Sequence, residues 1–201
     1  MKVFVKIPQT SNFKFSNYQT YNMNIAVYCS SSNHIAEDYK KVAYQLGEWI
    51  AESGNTLVFG GATGGLMSAI SEGAYSKSGK IIGIIPQAVI KMKRQSQLCT
   101  DLISVDTMSE RKALMKASAD VFVVLPGSYG TLDEMFDVIA SGVVGEHKKP
   151  LIIVNQNGFF NDFNNMTLRM FSEGFLPVAH QNYKPIIVDE IEKCIYNIQQ
   201  F

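Results

Sequence analysis

Short, continuously apolar runs recur along this chain, at residues 25–29, 56–59, 81–85, 102–105, 121–125, 151–155 and 186–188. A run such as Val121-Phe122-Val123-Val124-Leu125 has no polar side to turn toward water, so a strand built from it must be covered on both faces. Between the runs lie longer stretches of helical periodicity, at 35–53, 66–78, 109–119, 132–144, 159–172 and 190–199. Strand and helix in regular alternation predict the α/β class: a single Rossmann-like, doubly wound domain with a mostly parallel sheet. At 201 residues, 46% of them hydrophobic, the chain is long enough to bury one such core.

Residues 1–23 stand apart. They are rich in Asn, Gln, Ser and Thr, with isolated Phe13, Phe15, Tyr18 and Tyr21. They read as an N-terminal extension, either frayed or docked through its aromatics, ahead of a Rossmann-like nucleotide-binding domain at 24–201.

Eighteen basic residues balance eighteen acidic ones, so the chain lacks the excess positive charge that nucleic acid would require. No apolar run approaches the roughly 18 residues of a membrane span, and Lys2 and Lys6 interrupt any signal-peptide core. A cytoplasmic protein without nucleic-acid or membrane partners is expected. Cys29, Cys99 and Cys194 are widely spaced and read as reduced thiols. His34, His147 and His180 lack metal-ligand spacing, so no metal and no cofactor is expected.

Ligands of an open α/β sheet bind beyond the carboxyl ends of the strands, which directs attention to the strand-to-helix turns. The first, Cys29-Ser30-Ser31-Ser32-Asn33, offers hydroxyls and amides that suit either an anion or a plain helix N-cap. In the second, Gly60-Gly61-Ala62-Thr63-Gly64-Gly65, four glycines in six residues favour a ligand loop. This turn lacks the Lys-Ser/Thr of a Walker A loop, and Ala62 breaks a GxGxxG fingerprint. The third runs Pro126-Gly127-Ser128-Tyr129-Gly130-Thr131-Leu132-Asp133-Glu134. It delivers a buried strand onto a helix whose predicted N-cap is Thr131, and that helix start suits a phosphate. Taken locally, Thr131-x-x-Glu134 is a capping box, with the carboxylate turned back to the cap amide.

Upstream, Thr107-x-x-Glu110 is a second potential capping box. It places Arg111 and Lys112 in a first helical turn, where the macrodipole disfavours cations by up to about 1 kcal/mol. Such a local violation marks either a solvated helix face or a functional site. Met67, Met108 and Met115 fit an apolar base pocket or simply the core.

Taken together, these segments resemble the Lonely Guy family of cytokinin riboside 5′-monophosphate phosphoribohydrolases, formerly labelled lysine decarboxylases. The family's PGGxGTxxE signature is matched by residues 126–134. Its Met-x-x-Arg-Lys-x-x-Met segment is matched by Met108, Arg111, Lys112 and Met115, its CGSS turn by residues 29–32, and its GGGxxGLM turn by residues 60–67. The resemblance implies hydrolysis of the N-glycosidic bond of a purine-type nucleoside 5′-monophosphate, AMP or a cytokinin nucleotide, by a homodimer. It implies Arg111 and Glu134 as the catalytic pair. Gly127, Ser128, Gly130 and Thr131 would hold the phosphate, with Ser30 adding donors, and Gly60, Gly61 and Lys112 would line the nucleotide. Ser30 and Ser128 replace family glycines; if either position needs positive φ, its Cβ costs on the order of 1 kcal/mol.

Two other functions stay open on the sequence. The fold family includes carriers of phosphorylated cofactors such as molybdenum cofactor. Ser128 at a strand-to-helix elbow would suit a serine hydrolase, although Gly127-Ser128-Tyr129-Gly130 is one residue short of GxSxG. No lysine is assignable to the pyridoxal phosphate chemistry of a decarboxylase.

Overall fold

The computed structural model describes residues 22–176 and 183–201; most of the expected N-terminal extension (residues 1–21) and His180 lie outside them. Seven strands follow the apolar runs: β1 (Asn24–Tyr28), β2 (Thr56–Phe59), β3 (Lys80–Pro86), β4 (Asp101–Val105), β5 (Val121–Val124), β6 (Leu151–Val154) and β7 (Ile186–Val188). The helices are α1 (Glu37–Glu52), α2 (Gly65–Ser76), α3 (Gln87–Lys91), α4 (Met108–Ser118), α5 (Tyr129–Val143), α6 (Asn161–Ser172) and α7 (Ile191–Ile198). A short 3₁₀ turn, Gln156–Gly158, precedes α6, and the five-residue α3 carried too little periodicity to be read from sequence.

All strand pairings are parallel, in the order β4-β3-β2-β1-β5-β6-β7. The order reverses between β1 and β5, and the crevice at such a reversal is where open α/β sheets bind ligands. Side chains of one strand go alternately to two cores. On one face Ile25, Val27, Val121 and Val123 pack with Leu46 and Ile50 of α1, Ile70 of α2 and Cys194 of α7. On the other, Ala26, Tyr28, Phe122 and Val124 meet Met115 of α4, Met135 and Val138 of α5, and Phe160. Each fully buried aliphatic or aromatic side chain contributes about 1.5–3 kcal/mol, so a charge anywhere in β5 would oppose both layers. β4 forms one edge and is mostly exposed, with Leu102 and Ile103 among the uncovered apolar residues.

The start of α5 differs from the sequence expectation. The helix begins at Tyr129, three residues before the predicted start, and its N-cap is Ser128 in extended conformation. Thr131 lies inside the helix and is buried, and a Cβ on Gly127 would collide with its side chain. Because Gly127 leaves that space, Thr131 tucks under the turn. The capping box at 131–134 is therefore absent: Leu132 N donates to Ser128 O at 3.0 Å, and the Glu134 carboxylate accepts from a different helix. The second candidate box forms by half. Thr107 Oγ1 accepts from Glu110 N at 3.1 Å, while the Glu110 carboxylate accepts from Asp106 N, one residue outside the cap.

Candidate active site

β1 and β5 are neighbours, so the turns that follow them meet, with Ser30 N donating to Pro126 O at 3.2 Å. α4 runs beside α5 and brings Arg111 to the same place. A cavity of about 140 Å³ opens there, lined among others by Ser30, Ser31, Arg111, Ser128, Thr131 and Glu134. Gly130, Cys29, Met67 and Met108 complete its wall. Ser31 belongs to the 30–32 stretch expected to add donors, whereas Cys29 had been read only as a reduced thiol of the same turn. A larger depression of about 590 Å³ between α1 and α2 is a solvated groove lined by Glu37, Lys40, Lys41 and Glu72. Apart from Asn33 and Gly65 it receives nothing from the strand-end turns.

At the floor of the smaller cavity Arg111 Nη2 donates to Glu134 Oε1. Arg111 is 7% exposed and Glu134 2%. Burial pushes the guanidinium below its ordinary value, while nearby Tyr28 and Asp133 pull it back up. Its Nε is buried without a partner among the described residues. A buried ion pair costs several kcal/mol of desolvation per ion before its attraction is counted, which makes it a poor device for stability alone. It stands at the open strand ends, where open α/β sheets bind ligands, which makes it a candidate for function.

Above the pair, the amides of Tyr129, Gly130 and Thr131 have no acceptor among the described residues, and the Ser128 side chain makes no cap bond. The positive end of a fifteen-residue helix therefore faces the cavity with its donors free. Ser128 has φ −99°, and among the described residues only Ser78, Lys93 and Asn157 carry positive φ without being glycine. Both serines that replace family glycines are thus unstrained, and each adds a hydroxyl to the cavity wall.

Gly60 lies at the edge of the site: a Cβ there would come within 3.6 Å of Arg111 Nη1 and 3.1 Å of Met67 Cε. Gly61, at φ +68°, faces Ile85, Leu102 and Gly83 instead. Lys112 stands outside the cavity and pairs with Asp133 at 2.8 Å. Gly127 serves the packing of Thr131. Of the three methionines, Met67 and Met108 line the cavity, whereas Met115 is core.

The thiol of Cys29 is pushed up to about 12 by burial, so it stays protonated at neutral pH and is no nucleophile. Cys29, Cys99 and Cys194 are free thiols. The serine-hydrolase arrangement is not formed among the described residues. Among the described residues nothing hydrogen-bonds to the Ser128 hydroxyl; His147 packs between Phe122 and Tyr183, with Nε2 3.1 Å from Val138 O, and His34 is exposed.

A parallel sheet with an unfilled helix start and a buried Arg–Glu pair at its topological reversal defines a Rossmann-like protein. The family model described as "possible lysine decarboxylase" matches residues 67–198. Cytokinin riboside 5′-monophosphate phosphoribohydrolase LOG of Oryza sativa subsp. japonica is 37% identical over 152 residues, 76% of this chain and 63% of the rice protein. The Mycobacterium tuberculosis cytokinin riboside 5′-monophosphate phosphoribohydrolase is 34% identical over 177 residues, covering 88% of this chain and 93% of that protein. A molybdenum cofactor binding protein from the phototrophic bacterium Rippkaea orientalis has a TM-score of 0.68 and 25% identity. That likeness covers 90% of this chain and 98% of that structure. The chain belongs to the Lonely Guy family, to which the older decarboxylase description is attached.

Proposed function

We propose that this protein hydrolyses the N-glycosidic bond of a purine-type nucleoside 5′-monophosphate, releasing the free base and ribose 5-phosphate. The observation that carries the reading is the buried Arg111–Glu134 pair, placed at the floor of a cavity whose rim is the unfilled start of α5. The names of the rice and mycobacterial relatives support the same reaction.

The 5′-phosphate binds the amides of residues 129–131 and the hydroxyls of Ser128, Thr131 and Ser30, with Gly127 leaving Thr131 its place. Water attacks C1′ as the bond to the base breaks; the bonding electrons leave with the base nitrogen, which takes up a proton. Positive charge develops on the ribosyl ring, and the Glu134 carboxylate faces it, orienting the water and accepting its proton. Arg111 supplies the counter-charge that holds Glu134 in place. The cavity is small beside the roughly 300–1,000 Å³ of a pocket for a drug-sized ligand, so the base extends over the rim toward Met67 and Met108, with Gly60 and Lys112 bordering it. No metal or cofactor enters this scheme.

We also propose a cytoplasmic homodimer. Exposed Met166, Leu168, Phe171 and Phe175 on and after α6 offer apolar contact area. Among the described residues no helix is long and apolar enough to cross a membrane.

The test is kcat/KM for AMP against adenosine, repeated with the isopentenyladenosine pair. A few charge-assisted hydrogen bonds predict at least about a hundredfold preference for the phosphorylated member. Equal efficiency within both pairs would remove the phosphate site. Tight binding of nucleotide with no release of base would favour the carrier reading suggested by the shared fold.

A further inference from the structure

The connection from α3 to β4 contributes a cation that neither the family signature nor the cavity wall includes. Residues 92–96, between α3 and β4, lie as a strap along the second glycine turn. Arg94 O accepts from Thr63 N at 2.7 Å and from Thr63 Oγ1 at 3.1 Å, and Ser96 N donates to Gly61 O at 2.8 Å. Ala62 and Gln95 form an antiparallel bridge. The strap is entered through Lys93 at φ +56°, a left-handed conformation that a side chain adopts at a cost, and such strain gathers at functional sites.

This turn aims the Arg94 side chain back across two loops. Its Nη2 donates to Ser31 O at 3.2 Å and to Thr63 O at 3.0 Å. Ser31 belongs to the cavity wall. Its neighbour Ser30 is fixed through its carbonyl, which accepts from Leu66 N and Met67 N. Ser31 has no such tie: among the described residues Arg94 is the sole partner of its carbonyl, and its own amide has no acceptor. Removing the guanidinium would free the Ser31 carbonyl and leave the turn held on either side of it, by the Ser30 carbonyl and by Asn33 Oδ1, which accepts from Gly65 N.

We propose that Arg94 is a positioning residue for the phosphate side of the substrate: by gripping the Ser31 and Thr63 carbonyls together, it holds the 30–31 turn at the distance from α5 that an anion requires. The inference rests on the phosphoribohydrolase reading, because it assigns the anion in the cavity to the substrate's 5′-phosphate. Arg94 itself is exposed and outside the cavity wall, so it acts through Ser31 and not by touching the reacting atoms.

The experiment compares wild type, Arg94→Ala and Arg94→Lys by three measurements: kcat and KM for AMP and isopentenyladenosine monophosphate, calorimetric affinity for ribose 5-phosphate, and thermal midpoint. For Arg94→Ala the expected result is about a tenfold rise in KM and an equal loss of ribose 5-phosphate affinity, the scale of one charge-assisted contact. The kcat and the midpoint stay near wild type. Arg94→Lys recovers part of the affinity, because an ammonium reaches the carbonyls without the planar fork. Unchanged KM and ribose 5-phosphate affinity in Arg94→Ala would overturn the proposal, as would a fall in kcat with KM unaltered. If the wild type binds ribose 5-phosphate in an Arg94-dependent way yet cleaves neither nucleotide, the hydrolase reading fails and the positioning role stands. If the wild type binds no ribose 5-phosphate, both fail.

Discussion

Two glycine-rich turns carry the chain from strand to helix, and they are opposite in what they leave open. After β2, Gly64 N donates to Ser68 Oγ, Gly65 N to Asn33 Oδ1, and Leu66 N and Met67 N to Ser30 O, so the start of α2 is closed by the protein itself. After β5, three successive amides of α5 have no acceptor among the described residues. The glycines differ in the same sense. A Cβ on Gly65 would lie 2.2 Å from Ser32 O, and one on Gly64 2.4 Å from Ser31 O, whereas a Cβ on Gly130 meets nothing within 4 Å. The first turn uses glycine to bring two backbones together, and the second keeps its helix donors for a ligand. Glycine density therefore does not locate a binding loop; the donors left over do.

The strongest way to break this contrast is to remove the charge beneath the open turn. Glu134→Gln should lower kcat for nucleotide hydrolysis by about 10²–10⁴-fold, the usual contribution of a positioned acid–base group. It should also destabilise the fold by about 3–5 kcal/mol, because the buried Arg111 guanidinium loses its counter-charge. Exchanging both partners, Arg111→Met with Glu134→Leu, should recover much of that stability while activity stays lost. Denaturant midpoints and turnover on the same samples check both parts, and near-wild-type turnover in Glu134→Gln would take the carboxylate out of the chemistry.

Alanine at one glycine of each turn sharpens the comparison at intermediate size. Gly65→Ala puts a side chain at φ +50° against two carbonyls, and strain with overpacking should cost on the order of 2–4 kcal/mol. Gly130→Ala should leave stability within about 1 kcal/mol of wild type, or raise it, since alanine is the better helix residue. Its cost should fall instead on KM for the nucleotide, because the new methyl stands beside amides assigned to the phosphate. Unfolding midpoints and KM for the two variants should separate cleanly; a destabilised Gly130→Ala with normal KM would reverse the roles of the turns.

The layout was legible in the sequence where burial leaves an unambiguous record. The run at 56–59 coincides with β2, because a strand covered on both faces admits few polar residues, and the run at 186–188 coincides with β7 at the sheet edge, where Ile187 is exposed. The start of α5 was misplaced for a specific reason: Thr131 carries the side chain of an N-cap, and only the missing Cβ of Gly127 lets it pack inside the helix. Arg111 stood out as a cation set against its helix dipole, but its pairing with Glu134 depends on α4 and α5 lying side by side, which no local pattern encodes. Arg94 left no usable signal: it follows a five-residue helix, and its partners are backbone carbonyls that any sequence would supply.

The smallest expected effect concerns the second ion pair between the same two helices. Lys112 and Asp133 meet at 2.8 Å directly beside Arg111 and Glu134, but their side chains are 20% and 52% exposed. Exposed pairs contribute roughly 0.2–1 kcal/mol, so Lys112→Met, which keeps the apolar stem, should cost less than about 1 kcal/mol. At about 1 M salt the Debye length is near 3 Å, and that loss should largely vanish, while the buried-charge loss in Glu134→Gln persists. Activity divides the roles further. Because the Lys112 partner is half solvated, its ammonium is free to exchange Asp133 for a nucleotide at the rim, and Lys112→Met should raise KM by about two- to fivefold with kcat unchanged, the scale of one solvated ionic contact. Asp133→Asn, which frees the lysine without deleting it, should leave KM at or below the wild-type value. Equal KM changes in the two variants would make Lys112 a tie between helices, leaving the open start of α5 and the buried pair as the whole of the nucleotide site on this side.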